Sequence, residues 1–256
     1  MIASLGMYDP PPLQAANDRL WQLIRAGMHS RGLPAPEALT RGEDAYWKAW
    51  QSPALVLSQT CGLPFRARLH DSVTLIGTPD YGVEGCAPGY YRSVLVVRRD
   101  DPRQSLADFA PARLAYNEAL SQSGWAAPLA CFTERGLTPT PALQTGSHAA
   151  SAQAVAEGAA DIAAIDAVTW AILCDHNPVA RALRIVGKTA PTPGLPLIAA
   201  PGADAAASFD AVAEAIAALA DHDRRLLRLQ RLARIPARAY LALPIPASPE
   251  QIAQPV

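Results

Sequence analysis

Residues 145–170 constrain the fold more than any other part of the chain. Residues 145–147 have the composition of a strand-to-helix turn, and the alanine-rich run after them predicts a helix that ends at Gly158. Residues 161–165 are short, apolar and bounded by Gly158 and Asp166, which predicts a buried parallel strand. The stretch is therefore a helix followed by a strand, a unit typical of α/β proteins.

Three polar side chains of this unit are predicted to point to one place. His148 and Ser151 lie in the first turn of the helix, and Asp166 lies at the carboxyl end of the strand. In open parallel sheets, ligands bind at carboxyl ends of strands and at helix N-termini, because free N–H groups and the helix dipole converge there. We therefore expect these three residues to bind a ligand.

The rest of the chain repeats the alternation of short apolar strands with helices or loops. This pattern predicts a doubly wound α/β sheet. Polar residues follow several of the early strands, and loops at strand ends often carry binding residues. On position alone, four of them are candidate ligand contacts: Tyr8, Gln59, Thr60 and Tyr81. At the other end of the chain, residues 205–220 and 221–233 predict two amphipathic helices.

A second polar constellation lies at residues 121–125. Ser121 and Ser123 flank one residue at the start of a predicted helix, and Gly124 allows close approach of the backbone. Hydroxyls and N–H groups arranged in this way hold an oxyanion without a full counter-charge. Serines also cap helices routinely, so a purely structural role for this segment stays open.

The charge balance excludes several classes of partner. The chain has 22 basic and 23 acidic residues, a net charge of −1, which argues against a nucleic-acid or anionic-membrane surface. The arginines at 224–231 fit the outer face of a core-packed helix. No apolar run reaches eighteen residues, and no signal peptide is visible after Met1. We expect a periplasmic location if the chain is a processed form, and a cytoplasmic one if Met1 is the native start.

The four cysteines lack the spacing of a metal site, and we expect no metal or other cofactor. Cys61 and Cys86 follow strands that are predicted to be neighbours. A disulfide between them would add about 3 kcal/mol in an oxidising compartment, and in a cytoplasm both would stay reduced. Both alternatives are open. Cys131 and Cys174 are predicted to be buried apolar residues.

Several motifs in order resemble the phosphonate- and phosphite-type solute-binding proteins of ABC transporters. They are S-x-S-G-W at 121–125, H-x-x-S at 148–151, V-A-x-G-x-A-D at 155–161, A-I-D at 164–166, Q-T-C-G-L-P at 59–64 and Y-R-S-V-L-V-V-R at 91–98. The resemblance covers nearly the whole chain. It implies a type II periplasmic-binding-protein fold, in which two α/β lobes joined by two crossover strands close on a ligand. Lobe I would comprise residues 1–90 and 195–256, and lobe II residues 91–194.

The resemblance also implies roles for individual residues. Ser121, Ser123 and His148 would hold the oxygens of the anion, and Asp166 would accept a proton donor of the ligand, either a protonated oxygen or an amine. Gln122 stands where the family usually carries a threonine. The implied protein is a monomer that binds phosphonate, phosphite or phosphate for an ABC permease and performs no chemistry.

Two other functions remain alternatives to this interpretation. The first is an enzyme on the same fold, similar to the cytoplasmic menaquinone-pathway enzymes, which would act on a small carboxylate. His148 would then be a general acid or base with a pKa near its ordinary value of about 6.5. The second is a ligand-sensing protein that acts through a partner. Asp166 likewise has a structural alternative, as the N-cap of the helix predicted to begin near Val168.

Overall fold

The computed structural model describes residues 1–109 and 112–253 of the chain. Its strands are, in chain order, β1 (Ile2–Ser4), β2 (Leu55–Gln59), β3 (Thr74–Asp80), β4 (Tyr90–Tyr91), β5 (Ser93–Arg98), β6 (Arg113–Tyr116), β7 (Thr140–Gln144), β8 (Ile162–Asp166), β9 (Leu183–Lys188), β10 (Thr192–Pro193), β11 (Leu197–Ala199) and β12 (Arg231–Ala233).

Helices alternate with these strands through most of the chain. The α-helices are α1 (Gln14–His29), α2 (Trp47–Trp50), α3 (Gly62–Pro64), α4 (Ala127–Thr133), α5 (His148–Ala156), α6 (Ala167–His176), α7 (Ala205–Ala218), α8 (Asp221–Leu226), α9 (Ala237–Leu241) and α10 (Pro249–Ala253). Two π-helical segments, Phe65–Leu69 and Gln122–Ala126, continue α3 and precede α4. Short 3-10 helices are Gly6–Tyr8, Pro11–Leu13, Gly42–Ala45, Leu106–Phe109 and Pro178–Ala182.

The chain divides into two compact units. The first unit comprises Met1–Tyr90 and Pro193–Leu243, and the second comprises Tyr91–Thr192 and Pro244–Val256. We expected the whole segment from residue 195 onward to belong with the first ninety residues, but the tail from Pro244 belongs to the second unit. The physical reason is local, because Trp125 Nε1 donates a 2.8 Å hydrogen bond to the Ala247 carbonyl and Ile252 packs on the core of the second unit.

The first unit is built on a five-stranded mixed sheet with the order β1-β2-β11-β3-β12. The β1 and β2 strands are parallel, whereas β11 runs antiparallel to both β2 and β3. The α1 helix packs against α7, which contacts β3 and β12. A separate apolar cluster that includes Trp50, Phe65 and Tyr240 joins α2 and α9 to the strands. Apolar residues thus pack on β2, β3 and β11 from more than one direction.

The second unit has a five-stranded sheet with the order β7-β6-β8-β5-β9. The β6 strand is parallel to β7 and β8, and β5 is antiparallel to β8 and β9. Successive residues of β8 belong to different core clusters: Ala163 and Ile165 pack with α5, whereas Ile162 and Ala164 pack with α4. This period of two shows that apolar residues cover both faces of the sheet. The predicted α/β class is confirmed, and the sheets are mixed rather than wholly parallel.

The prediction of one amphipathic helix over residues 221–233 is wrong. The α8 helix ends at Leu226, Arg228 adopts a positive φ of 55°, and Arg231–Ala233 forms β12. Pairing of β12 with β3 explains this difference, because Leu232 lies opposite Pro79 and Gln230 N donates to the Asp80 carbonyl. The β3 strand extends to Asp80 in this pairing, so the candidate Tyr81 directly follows the strand.

The structure also bears on the predictions about the cysteines, metal binding and membrane spans. Cys61 is buried and Cys86 is half-buried, and the structure describes both as thiols, which is the reduced alternative. Cys131 is buried as predicted, but Cys174 is exposed, because α6 buries Val168, Ile172 and Leu173. Across residues 1–109 and 112–253, no group of His, Cys, Asp or Glu side chains could hold a metal ion. A helix long and apolar enough to cross a membrane is also absent from this part of the chain.

A buried ion pair stabilises the loop after β5. Asp101 is 5% exposed and accepts hydrogen bonds from Arg103 Nε at 2.9 Å, from Arg103 Nη2 at 2.7 Å and from the Arg103 backbone N–H at 3.0 Å. The guanidinium also lies 4.1 Å from the centre of the Phe109 ring. These hydrogen bonds to Arg103 lower the pKa of Asp101 from 3.8 to about 2.

This pKa shift predicts an effect of pH on stability. Because the folded-state pKa of Asp101 is lowered, its stabilisation is present above pH 4 and is lost as the pH falls through about 2. Asp101→Asn should lower the free energy of unfolding by about 1–2 kcal/mol at pH 7, since solvent partly screens Arg103. Urea denaturation between pH 3 and 7 should show that the difference in free energy of unfolding between wild type and Asp101→Asn becomes smaller as the pH falls below 4.

A matched control is available next to this residue. Asp100 pairs with Arg98, but its side chain is 84% exposed, so Asp100→Asn should change stability little. Two results would contradict the stabilising role of the Asp101–Arg103 pair. One is an equal loss of stability in both variants, and the other is a stability difference between wild type and Asp101→Asn that does not decrease below pH 4.

Candidate functional site

The carboxyl ends of three parallel strands meet at one edge of the second unit's sheet. After β6 the chain enters the segment Gln122–Ala126, after β7 it enters α5, and after β8 it enters α6. Each of these helical segments starts near that edge with its free backbone N–H groups and the positive end of its dipole. The topology therefore builds a region suited to an anion before any side chain is considered.

Ser123 and His148 join two of these helix starts. Ser123 Oγ lies 2.8 Å from His148 Nε2, and Ser123 as a residue is 4% exposed. The Ser123 carbonyl accepts a 2.9 Å hydrogen bond from Ser93 Oγ at the beginning of β5. The structure thus brings together two of the predicted oxyanion residues, and Ser93 supports them from the neighbouring strand.

Ser121 acts as the N-cap of the same segment. Its Oγ accepts a 2.9 Å hydrogen bond from the Gly124 backbone N–H. This is the structural role that the sequence left open for the serines. The hydroxyl proton of Ser121 is not used in that bond, so the residue can cap the helix and still donate to an anion.

His148 is held in a neutral form by its surroundings. Burial lowers its pKa from 6.5 to about 4, and a hydrogen bond with the backbone of Ala164 acts in the opposite direction. His148 as a residue is half-buried, and its Nδ1 atom is buried. The expected pKa near 6.5 is therefore wrong. At neutral pH the imidazole offers hydrogen bonding without a positive charge.

Ser151 and Asp166 lie beside this pair in different roles. Ser151 is fully buried, and its Oγ lies 2.7 Å from Thr145 Oγ1. Asp166 Oδ1 accepts hydrogen bonds from Val168 N at 2.6 Å and Thr169 N at 3.1 Å, which makes Asp166 the N-cap of α6. The structural alternative for Asp166 is thus observed, and its second carboxylate oxygen makes neither of these bonds.

Sequence patterns alone missed several residues around the site. Ser93, Thr145 and Asn117 each contact a predicted site residue or its backbone. Asn117 follows β6 directly, so the position after a buried strand was the available signal, as it was for Asp166. Thr145 directly follows β7 and had the same signal, whereas Ser93 is the first residue of β5 and had none.

The first unit holds the other four candidates. Tyr8 and Tyr81 stack edge to face with ring centres 4.9 Å apart, and Gln59 Nε2 donates a 3.0 Å hydrogen bond to the Tyr81 hydroxyl. These three residues line a small cavity of about 30 Å³ with apolar side chains such as Leu20 and Ile24. Thr60 is fully buried, its Oγ1 has no hydrogen-bond partner within the described chain, and it does not line that cavity.

The architecture defines the class of protein. Two α/β units, each with a mixed five-stranded sheet, are formed from a chain that passes between them after Tyr90, after Thr192 and again after Leu243. Solved type II periplasmic binding proteins share this fold. XAC2383 from Xanthomonas citri, bound to ATP, matches with a TM-score of 0.70 at 19% identity, covering 98% of this chain and 95% of that one.

Two other solved structures extend the likeness. PhnD1 from Prochlorococcus marinus, in complex with methylphosphonate, has a TM-score of 0.69 at 18% identity and covers 93% of this chain and 94% of its own. A binding component of an ABC phosphonate transporter from Pseudomonas aeruginosa has a TM-score of 0.65 at 16% identity, with coverages of 91% and 80%. At these identities the structures establish the fold.

The family is established by the sequence. The model of the periplasmic phosphonate-binding proteins of ABC transporters matches residues 65–237, more than half of the chain, and the protein belongs to this family. Its members are substrate-binding proteins and not enzymes, so the enzyme alternative has no support. A search of curated proteins finds no significant match.

The buried imidazole leads to a prediction about pH. The folded-state pKa of His148, about 4, is below the ordinary 6.5, so the unfolded state takes up a proton first as the pH falls. The stabilisation by neutral His148 should be complete above pH 6.5 and should be lost between pH 6.5 and 4, by up to about 3 kcal/mol. NMR titration of the imidazole measures the pKa of His148, and urea denaturation measures the free energy of unfolding.

His148→Gln supplies the comparison, because its side chain is neutral throughout this range. The variant should lack the decline in stability that His148 contributes below pH 6.5. A midpoint near 6.5 in the titration, or the same acid-side decline in the variant, would show that the ring is well hydrated.

Proposed function

We propose that the protein binds a small oxyanion of the phosphonate, phosphite or phosphate type at the Ser121, Ser123 and His148 site and delivers it to an ABC permease. Family membership supports the transport role, since the family consists of periplasmic substrate-binding proteins. The observation that carries the choice of ligand is the Ser123–His148 hydrogen bond at the meeting of helix N-termini. We further propose that the protein works in the periplasm as a monomer.

The chemistry of the site suits an oxyanion held by neutral groups. The hydroxyl of Ser121 can donate a hydrogen bond, and so can one proton of the Ser123–His148 pair, because the bond within the pair uses the other proton. Backbone N–H groups at the start of the segment Gln122–Ala126 add to them. A tetrahedral anion has several acceptor oxygens to satisfy at once. Hydrogen bonds to a charged group contribute about 1.5–3 kcal/mol each, enough for tight binding without an ion pair.

The ligand chemistry of similar proteins agrees with this choice. PhnD1 is described with methylphosphonate and XAC2383 with ATP, and the two ligands share a phosphoryl-type group. A panel of methylphosphonate, phosphite, phosphate and ATP therefore covers the range of sizes. Selective binding of one member would identify the ligand, and binding of carboxylates alone would contradict the proposal.

Other predicted contacts are part of the proposal. Gly124 would let the ligand approach the backbone, and Ser151 would support the start of α5 through Thr145. In the first unit, Tyr8, Gln59 and Tyr81 form one polar and aromatic group, and Thr60 carries a hydroxyl that lacks a partner in the described part of the protein. We propose that these four residues contribute to ligand affinity.

Substitution of the central pair tests the ligand site. Ser123→Ala and His148→Ala should each weaken methylphosphonate binding roughly ten- to hundredfold, because each removes a hydrogen bond to a charged group. Isothermal titration calorimetry at pH 7 measures the change. Asn177→Ala is the control, since Asn177 caps the helix Pro178–Ala182 in the same unit and should reduce thermal stability without weakening binding. Unchanged affinity in both site variants would place the ligand elsewhere.

Asp166 should select ligands that carry a proton donor. A carboxylate beside a bound anion is repulsive unless the ligand offers a P–OH or an ammonium group to it. Asp166→Asn removes the negative charge, and Asn is as good an N-cap as Asp. Calorimetry across pH 5 to 9 should therefore show reduced discrimination between protonated and fully ionised ligands, with little change in melting temperature.

The capping role predicts a different result. If Asp166 serves only α6, the affinity profiles of wild type and Asp166→Asn should run parallel with pH. Because Asn caps as well as Asp, the melting temperature does not separate the two roles. Parallel affinity profiles would contradict the selector role.

A further inference from the structure

Asn117 lies at the carboxyl end of β6, between the two chain segments that build the oxyanion site. Its backbone carbonyl accepts a 2.9 Å hydrogen bond from Gly146 N, in the turn that leads to α5. Its side-chain Oδ1 is buried and makes no hydrogen bond to any residue that the structure describes. A buried acceptor without a partner is costly, and such atoms in native proteins call for an explanation.

The side chain of Asn117 is directed at the backbone of Gly124. A Cβ atom placed on Gly124 would lie 1.9 Å from Asn117 Oδ1 and 3.3 Å from His148 Cε1. The first distance is impossible for real atoms, so a larger residue at 124 would force Asn117 or the segment to move. The carboxamide and the imidazole therefore both approach the same face of Gly124.

The requirement for glycine here is steric and not conformational. Gly124 is not among the glycines with positive φ, and it lies inside the helical segment Gln122–Ala126. Any residue could adopt this backbone conformation, and glycine is slightly unfavourable in a helix. The close approach of Asn117 and His148 is thus the physical reason for glycine at this position.

Gly124 is also part of the segment that forms the proposed oxyanion site. Gly124 N donates to Ser121 Oγ, and Ser123 Oγ bonds to His148 Nε2. The unsatisfied Asn117 Oδ1 is packed against a glycine that also contacts the imidazole. Such an arrangement indicates packing that serves a purpose other than maximal stability.

We propose that Asn117 is a positioning residue of the oxyanion site, whose carboxamide packs on Gly124 and so sets the distance between the Ser121–Ser123 segment and His148. The residue acts on the ligand through these groups and does not itself bind it. This inference rests on the proposed oxyanion binding and deepens it, because affinity then depends on a contact that the ligand never touches.

A double-mutant cycle between positions 117 and 124 tests the contact. Gly124→Ala alone should weaken methylphosphonate binding about a hundredfold and lower the melting temperature by about 5–10 °C, because the new methyl group collides with Asn117. Asn117→Ala alone should weaken binding about tenfold with a small change in melting temperature. The double variant should bind about tenfold better than Gly124→Ala and regain most of the lost melting temperature, because the collision is gone.

A second measurement reports on positioning without any ligand. Asn117→Ala removes a carboxamide from beside the imidazole and lets water approach it. The pKa of His148 should then rise from about 4 toward the ordinary 6.5, as followed by NMR titration. A residue that only filled space remote from the imidazole would leave this titration unchanged.

Two control variants distinguish loss of the Asn117–Gly124 contact from general destabilisation of the fold. Gly187→Ala should be tolerated, because a Cβ there would meet only Leu95 Cδ1, at an ordinary 3.4 Å. Asn177→Ala should lower the melting temperature but leave the His148 titration and the affinity unchanged, since Asn177 caps a helix elsewhere in the second unit.

The experiments distinguish a failure of the proposed oxyanion binding from a failure of the positioning role of Asn117. Wild type that binds no member of the phosphonate, phosphite, phosphate and ATP panel would overturn the proposed function, while the melting-temperature cycle and the titration would still decide the role of Asn117. Additive effects in the cycle, wild-type behaviour of Gly124→Ala, or an unchanged His148 titration in Asn117→Ala would overturn the positioning role.

Discussion

The site depends on one hydrogen bond, between Ser123 Oγ and His148 Nε2. It connects the segment after β6 to the first turn of α5, which are 25 residues apart in the chain. Because burial keeps the imidazole neutral, the bond aligns two dipoles and adds no charge to the site. An anion there would be stabilised by helix N-termini, hydroxyls and N–H groups, whose strength depends on geometry and falls off quickly when that geometry changes.

That geometry is supplied by the sheet of the second unit. The parallel strands β7, β6 and β8 place three helix starts at one edge, and the antiparallel β5 adds Ser93, whose hydroxyl holds the Ser123 carbonyl. The Ser93 backbone N–H is in turn held by Thr189 Oγ1 at 2.9 Å. The segment Gln122–Ala126 is therefore held by Ser93 of β5, and Ser93 is held in turn by Thr189 after β9, which restricts the movement of the segment relative to the sheet.

Asp166 is the N-cap of α6 and, in the proposed function, also the residue that selects the ligand. One of its oxygens caps α6 through two backbone N–H groups, and the carboxylate is only 2% exposed. The cap fixes the orientation of the group, and a fixed carboxylate discriminates more sharply between ligand protonation states than a mobile one. The cap that the structure shows uses Oδ1, and the selector role belongs to the proposed function.

The helix and strand of residues 145–170 were predictable from the sequence, since local composition and apolar periodicity fix such elements wherever they are buried. So were Ser121 as a cap, Ser123 and His148 as neighbours, and the α/β class. Residues 221–233 were not, because their helical pattern competes with pairing of β12 to β3, and a long-range pairing leaves no local signal. Cys174 was misjudged because which face of α6 is buried depends on its neighbours.

Only the tertiary structure decided the electrostatics of the site. The low pKa of His148 results from burial by residues distant in sequence, and the role of Asn117 depends on a close approach to Gly124. The sequence by itself determined which polar groups stand at strand and helix ends, because that follows from local patterns. How deeply those groups are buried, and which of them touch, is a property of packing that no short stretch of the chain contains.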